Sequence, residues 1–263
     1  MTVSLCLIGN SHLVALQSAL NARPGQWPGL DCRFVAFRRR TALESRIEDG
    51  VLVPASAAAR FQLGYFSGAE TFPLDGFDAF AVVGLNVKML FSLALWKCAR
   101  WSGLPSLAAQ ASPADLPHPL ISAPAARACL AANLSDLVGF VMARRLAGGC
   151  GKPVLIVGQP ALHRKAIWTG KGTYFGIGRA IQTGDAPQIA ALYDTAAAQA
   201  AARIGARFLP QPDRTRFSDV LTRPGFMLGT LPGRVGREAR PDHTHANAAY
   251  GALVLDQLAA ALA

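Results

Sequence analysis

Five short apolar runs limit what this chain can become: residues 3–9, 32–37, 78–84, 153–158 and 206–209. They are rich in Val, Leu, Ile and Phe, with little of the apolar–polar alternation of a strand that has one wet face. Strands buried on both faces of a parallel sheet read this way. Gly9, Gly84 and Gly158 stop three of the runs. Stretches at helical spacing separate them, at 13–20, 89–101, 125–146 and 188–204, with a last one at about 245–262. Parallel strands need crossovers, and right-handed helical crossovers cover both sides of the sheet. The expected fold is therefore α/β, a three-layer α/β/α sandwich around a five-stranded parallel sheet.

The segments in between are less regular. Thr41 is expected to cap a short helix over 41–47, and 51–54 with 61–66 read as an edge hairpin or a loop cover. Residues 102–124 hold several prolines and are the best place for an insertion or lid. Residues 161–187 and 211–241 read as long loops. No repeat or compositional break divides the chain, so 1–263 is read as one domain.

Apolar residues make up 51% of the chain and charged ones 16%, which argues against disorder. No uninterrupted apolar run reaches the ~18 residues of a membrane span, and no basic segment precedes the first apolar run, so neither a transmembrane helix nor a secretory signal is expected. Cys6, Cys32, Cys98, Cys129 and Cys150 are scattered and odd in number, and are expected to be reduced core residues of a cytoplasmic protein. The net charge is +10, but the basic residues are dispersed. Arg38-Arg39-Arg40 is the compact run, and no aromatic-interleaved basic motif accompanies it, so no nucleic-acid partner is expected. Arg164, Lys165 and Lys171, with Arg223, Arg234, Arg237 and Arg240, have Glu238 and Asp219 as their main acidic neighbours. A cleft rimmed by such loops favours an anionic substrate, whereas scattered charge alone makes a solvated surface.

Polar groups cluster where strands end. Gly9-Asn10-Ser11-His12 joins the first run to the first helix. Open α/β sheets bind ligands at the carboxyl ends of their strands. A serine there has its N–H at a helix N-terminus, which favours the negative charge of an oxyanion. Asn10 or Ser11 would equally serve as the helix cap. Asn86 follows the third run, and Asp242-His243-Thr244-His245 precedes the last helix. Asn86 and Asp242 are also cap residues by type, and His243 competes with His245 as a base. The His/Asp spacing lacks the helical two-on-one-face geometry of a metallohydrolase, so no metal is expected on His12, Asp242, His243 and His245. His163 sits in a basic loop and is expected to be exposed.

Taken in order, Gly9-Asn10-Ser11, Gly84-Leu85-Asn86 and Asp242-x-x-His245 with the following Ala-Asn-Ala-Ala-Tyr-Gly resemble the blocks of the SGNH (GDSL-type) hydrolase family along the whole chain. With that resemblance the expected strand order is 2-1-3-4-5, flavodoxin-like. The resemblance implies Ser11 as nucleophile, His245 as general base, Asp242 as the carboxylate that orients it, and the Ser11 N–H and Asn86 side chain as oxyanion donors. It implies no cofactor. Asn10, His12 and Val87 stand where the family usually has Asp, Leu and Asp. The second-block glycine is unmatched, because Arg38-Arg39-Arg40 occupies its place. Gly50, Gly64 or a non-glycine N–H then supplies that donor, or the donor is missing. The implied activity is a serine esterase acting on a short O-acyl ester, by family habit one on a carbohydrate. The alternatives are an O-acyltransferase using the same triad, and a catalytically lapsed module that binds a glycan or partner.

Overall fold

The computed structural model describes residues 2–38, 40–108, 118–168, 172–231 and 240–263. The central sheet has five parallel strands: β1 (Val3–Gly9), β2 (Leu30–Ala36), β3 (Ala79–Val83), β4 (Val154–Val157) and β5 (Arg207–Leu209). Their order is β2-β1-β3-β4-β5, as expected from the sequence. The helices that matter here are α1 (Leu13–Ala22), α2 (Ala57–Ser67), α3 (Leu90–Cys98), α4 (Ala123–Ser135), α5 (Val138–Cys150), α6 (Gly172–Gln182), α7 (Ala186–Ala202) and α8 (Ala248–Leu262).

Side-chain alternation along each strand divides the interior into two cores, because successive residues of a strand point to opposite faces. Leu5 and Leu7, Ala81 and Val83, and Leu155 and Val157 face one core, which α1 and α8 cover. Cys6 and Ile8, Phe80 and Val82, and Val154 and Ile156 face the other, which α3, α4, α5 and α7 cover. β3 and β4 are apolar throughout and β1 nearly so because neither face meets water, whereas the edge strands carry exposed charges, Asp31 and Arg33 on β2 and Arg207 on β5. Among the described residues no single helix is long and apolar enough to cross a membrane.

Register aligns the strand ends. Gly9 is level with Ala36 on β2 and Val83 on β3, and Val83 is level with Val157 on β4. The residues that follow these four strands therefore emerge along one rim. The first and last helices pack tightly against each other. A Cβ on Gly251 would lie 2.0 Å from the Ala15 carbonyl oxygen, so only glycine allows that approach of α8 to α1.

Several local expectations are corrected. Residues 41–47 are not one helix: Thr41–Glu44 is a 3-10 turn, and Ser45–Glu48 pairs antiparallel with Val51–Pro54. Thr41 does not cap it, and its hydroxyl donates to the Arg38 carbonyl. Residues 61–66 lie inside α2, capped by Ser56. The helix expected over 125–146 is two helices, α4 and α5, bent by 73° at Asp136-Leu137. The expected 161–187 loop contains α6. Residues 109–117 of the candidate lid lie outside the described residues. Cys6 is buried as expected, but Cys98 and Cys129 lie on outward positions of α3 and α4 and are exposed.

Candidate active site

Ser11 sits in the turn between β1 and α1, on the rim. Its Oγ is 2.8 Å from His245 Nε2. His245 Nδ1 is 2.9 Å from Asp242 Oδ2. An ionised carboxylate only accepts hydrogen bonds, so Nδ1 carries the imidazole proton and the Nε2 lone pair faces the serine hydroxyl. Ser11 is exposed and Asp242 is buried. The structure thus brings Ser11, near one end of the chain, together with Asp242 and His245 from near the other.

The local chemistry leaves these side chains free for that arrangement. The N-cap position of α1 is His12, without a side-chain cap, and Ser11 does not cap the helix. Asn10 Oδ1 accepts instead from the His12 N–H at 3.2 Å. Asn247, not Asp242, caps α8, accepting from the N–H groups of Ala249 and Tyr250. The other end of Asn247 pins the loop, donating to the carbonyls of Gly225 and Met227. Backbone bonds from Leu228 N–H to the His245 carbonyl and from Asp242 N–H to the Gly229 carbonyl complete the clamp.

Asp242 also accepts at Oδ1 from the Thr244 N–H and hydroxyl, each at 2.9 Å, and from the His245 N–H at 3.2 Å. Burial alone would raise its pKa. The Thr244 and His245 hydrogen bonds and the His245 charge outweigh burial and hold the carboxyl below its usual range.

His12 adds a feature that sequence reasoning missed. Its ring stacks on His245, with centroids 5.2 Å apart and planes 26° apart. It is 9% exposed, and its Nδ1 is buried without a partner among the described residues. Burial, helped by the neighbouring His245, pushes its pKa down to about 3. A neutral aromatic face therefore backs His245.

Asn86 lies on a left-handed turn. Gly84, Leu85 and Asn86 have φ of 75°, 43° and 70°. Asparagine tolerates this region better than most residues, and glycine tolerates it freely. A Cβ on Gly84 would also lie 2.5 Å from Asn10 Oδ1. Asn86 does not cap α3, whose N-cap is Met89. It lines a cleft of about 430 Å³ together with Asn10, Arg40, Asp136 and Gln159. The Ser11 N–H makes no hydrogen bond within the described residues and stands at the N-terminal end of α1.

Neither second-block glycine lines this cleft: Gly50 closes the Ser45–Glu48/Val51–Pro54 hairpin, and Gly64 is inside α2. Arg40 does line it. The other basic loops are partly engaged elsewhere. Arg164 lies over the Phe217 ring, and Arg223 Nε donates to the Arg216 carbonyl. Lys171, Arg234, Arg237 and Glu238 lie outside the described residues.

His163 is not exposed. It is 4% exposed, its N–H donates to the His243 carbonyl, and its ring centroid is 6.0 Å from that of His243. His243 therefore turns toward His163, and His245 is the histidine on Ser11. Among the described residues no group of three or more His, Cys, Asp or Glu side chains is gathered to hold a metal ion. Comparison of the chain with protein-family models, curated proteins and solved structures gives no match.

Proposed function

We propose that this protein is a serine esterase of the SGNH type that hydrolyses a short O-acyl ester, on a carbohydrate or similar polar alcohol. The observation that carries the reading is the unbroken chain from Ser11 Oγ through His245 to Asp242. A serine hydroxyl is a weak nucleophile unless a base takes its proton, and that base needs a third group to fix its tautomer. In this reading His245 Nε2 accepts the Ser11 proton as Oγ bonds to the ester carbon. The Ser11 N–H and the Asn86 amide meet the oxyanion, each such donor being worth about 3–4 kcal/mol. His245 then gives the proton to the departing alkoxide as the C–O bond breaks. Water repeats the sequence on the acyl-serine, releasing the acid and restoring Ser11.

Asp242 stays ionised in this scheme because its hydrogen bonds hold its pKa low. Ser11 is open to solvent, which favours water over a second alcohol as acceptor and hydrolysis over acyl transfer. Release of nitrophenol from nitrophenyl acetate, abolished in Ser11→Ala, tests the reading. A purified, folded protein that turns over no ester would refute it.

A further inference from the structure

We infer that two cavities meeting at Gln159 divide the substrate, the acyl group entering one and an anion-bearing alcohol lying against Arg40 in the other. The inference rests on the esterase reading and names the substrate that reading leaves open.

The first cavity has a volume of about 160 Å³. Met89, Leu90, Leu93, Leu162 and Val220 wall it, and the polar Lys88 and Thr244 line it too. Thr244 is the residue beside His245 whose hydroxyl holds Asp242. This mostly apolar space therefore adjoins the Asp242 side of the candidate triad. A dry apolar cavity of about 150 Å³ takes a six-carbon ring. A straight acyl chain of up to about six carbons matches that space, and each buried methylene should raise kcat/KM about fourfold until the cavity is full.

The second cavity is the cleft of about 430 Å³ past Asn10 and Asn86. Gln159 lines both cavities. Here the lining is amide and charge: Asn10, Asn86, Gln159, Arg40 and Asp136. Amides and a carboxylate suit hydroxyl groups, and a guanidinium binds carboxylate or phosphate through paired N–H donors. Arg40 is exposed and forms no ion pair among the described residues, so its donors face the cleft unclaimed by another side chain. The arginine that displaces the family's glycine thus becomes a specificity residue.

Two assays test the division. The first is a nitrophenyl ester series from acetyl to decanoyl. The wild-type optimum should fall between butyryl and hexanoyl. Ala161→Leu, which fills the first cavity while leaving the backbone bonds of Ala161 to Gln211 and Thr222 available, should move the optimum to shorter chains. Leu90→Ala should move it to longer ones. Thermal melts confirm that both variants fold. The second assay compares 4-butyryloxybenzoate with its neutral methyl ester. The preference for the anion should fall about tenfold in Arg40→Gln, and high salt should erode it in the wild type. An optimum that neither cavity variant moves, or an anion preference that Arg40→Gln leaves intact, overturns the division while the esterase reading stands. Absence of turnover with every ester overturns both.

Discussion

Two histidine pairs lie close together in this protein, and they differ in what surrounds them. His12 and His245 stack face to face, with Ser11 and Asp242 at the two nitrogens of the outer ring. His163 and His243 lie at 43° to each other, and the Lys165 N–H occupies His163 Nδ1. Among the described residues no hydroxyl, thiol or carboxylate bonds to either ring of the second pair. In the proposed reading the first pair moves a proton between a nucleophile and a leaving group. The second closes a loop. Residue type is the same in both, and partners make the difference.

The largest expected contrast comes from deleting the partners. Ser11→Ala and His245→Ala should each lower kcat for a short ester by about 10⁴–10⁶, the loss typical of a triad member. His243→Ala and His163→Gln should stay within several-fold of wild type. A reversal, with His243→Ala inactive and His245→Ala active, would assign the base to the other pair. Asp242→Asn should cost about 10⁴ or less, because the amide still fills the space but leaves the wrong tautomer on His245.

A smaller loss is expected at the oxyanion. Asn86→Ala should reduce kcat by about 10²–10³ with little change in KM, since the donor acts mainly in the transition state. A change in melting temperature alone would make Asn86 a turn residue only.

The last effect is on stability and its dependence on pH. His12 has a pKa of about 3 in the folded protein against 6.5 as an ordinary histidine. Below pH 6.5 the unfolded chain therefore takes up a proton that the folded chain refuses. Stability falls as pH drops through that window, by up to about 1.4 kcal/mol per unit. His163 is shifted the same way, by burial first and then by its neighbours His243, Lys165 and Arg164. Asp242 acts in a different window. Its lowered pKa adds stability above the ordinary carboxylate value of 3.8, and that stability is lost as pH falls through the folded pKa. Melting curves between pH 6.5 and 4 should be flatter in His12→Phe than in wild type. An unchanged slope would mean that His12 takes up its proton in the folded state.

The centre of the sheet was legible because β1, β3 and β4 are buried on both faces and so read as apolar runs closed by Gly9, Gly84 and Gly158, whereas edge strands β2 and β5 carry exposed charges. α2 and α6 were hidden by composition. Gly64 interrupts one, and Gly172, Gly176 and Gly178 weaken the other. The α4–α5 bend was hidden because no proline or glycine marks Asp136-Leu137. At the site, the spacing of Asp242 and His245 was readable, since an i, i+3 pair in a loop needs no distant information. The stacking of His12 on His245 and the entry of Arg40 into the cleft depend on the approach of separate elements. Local sequence does not carry that. His163 misled because Arg164 and Lys165 beside it are exposed while its own ring turns inward.

The most direct test is to treat the folded protein with a fluorophosphonate and weigh it intact before mapping the adduct. The expected result is a single adduct on Ser11 that His243→Ala retains and His245→Ala nearly abolishes. No adduct, an adduct on another residue, or equal labelling in His245→Ala would contradict an activated Ser11.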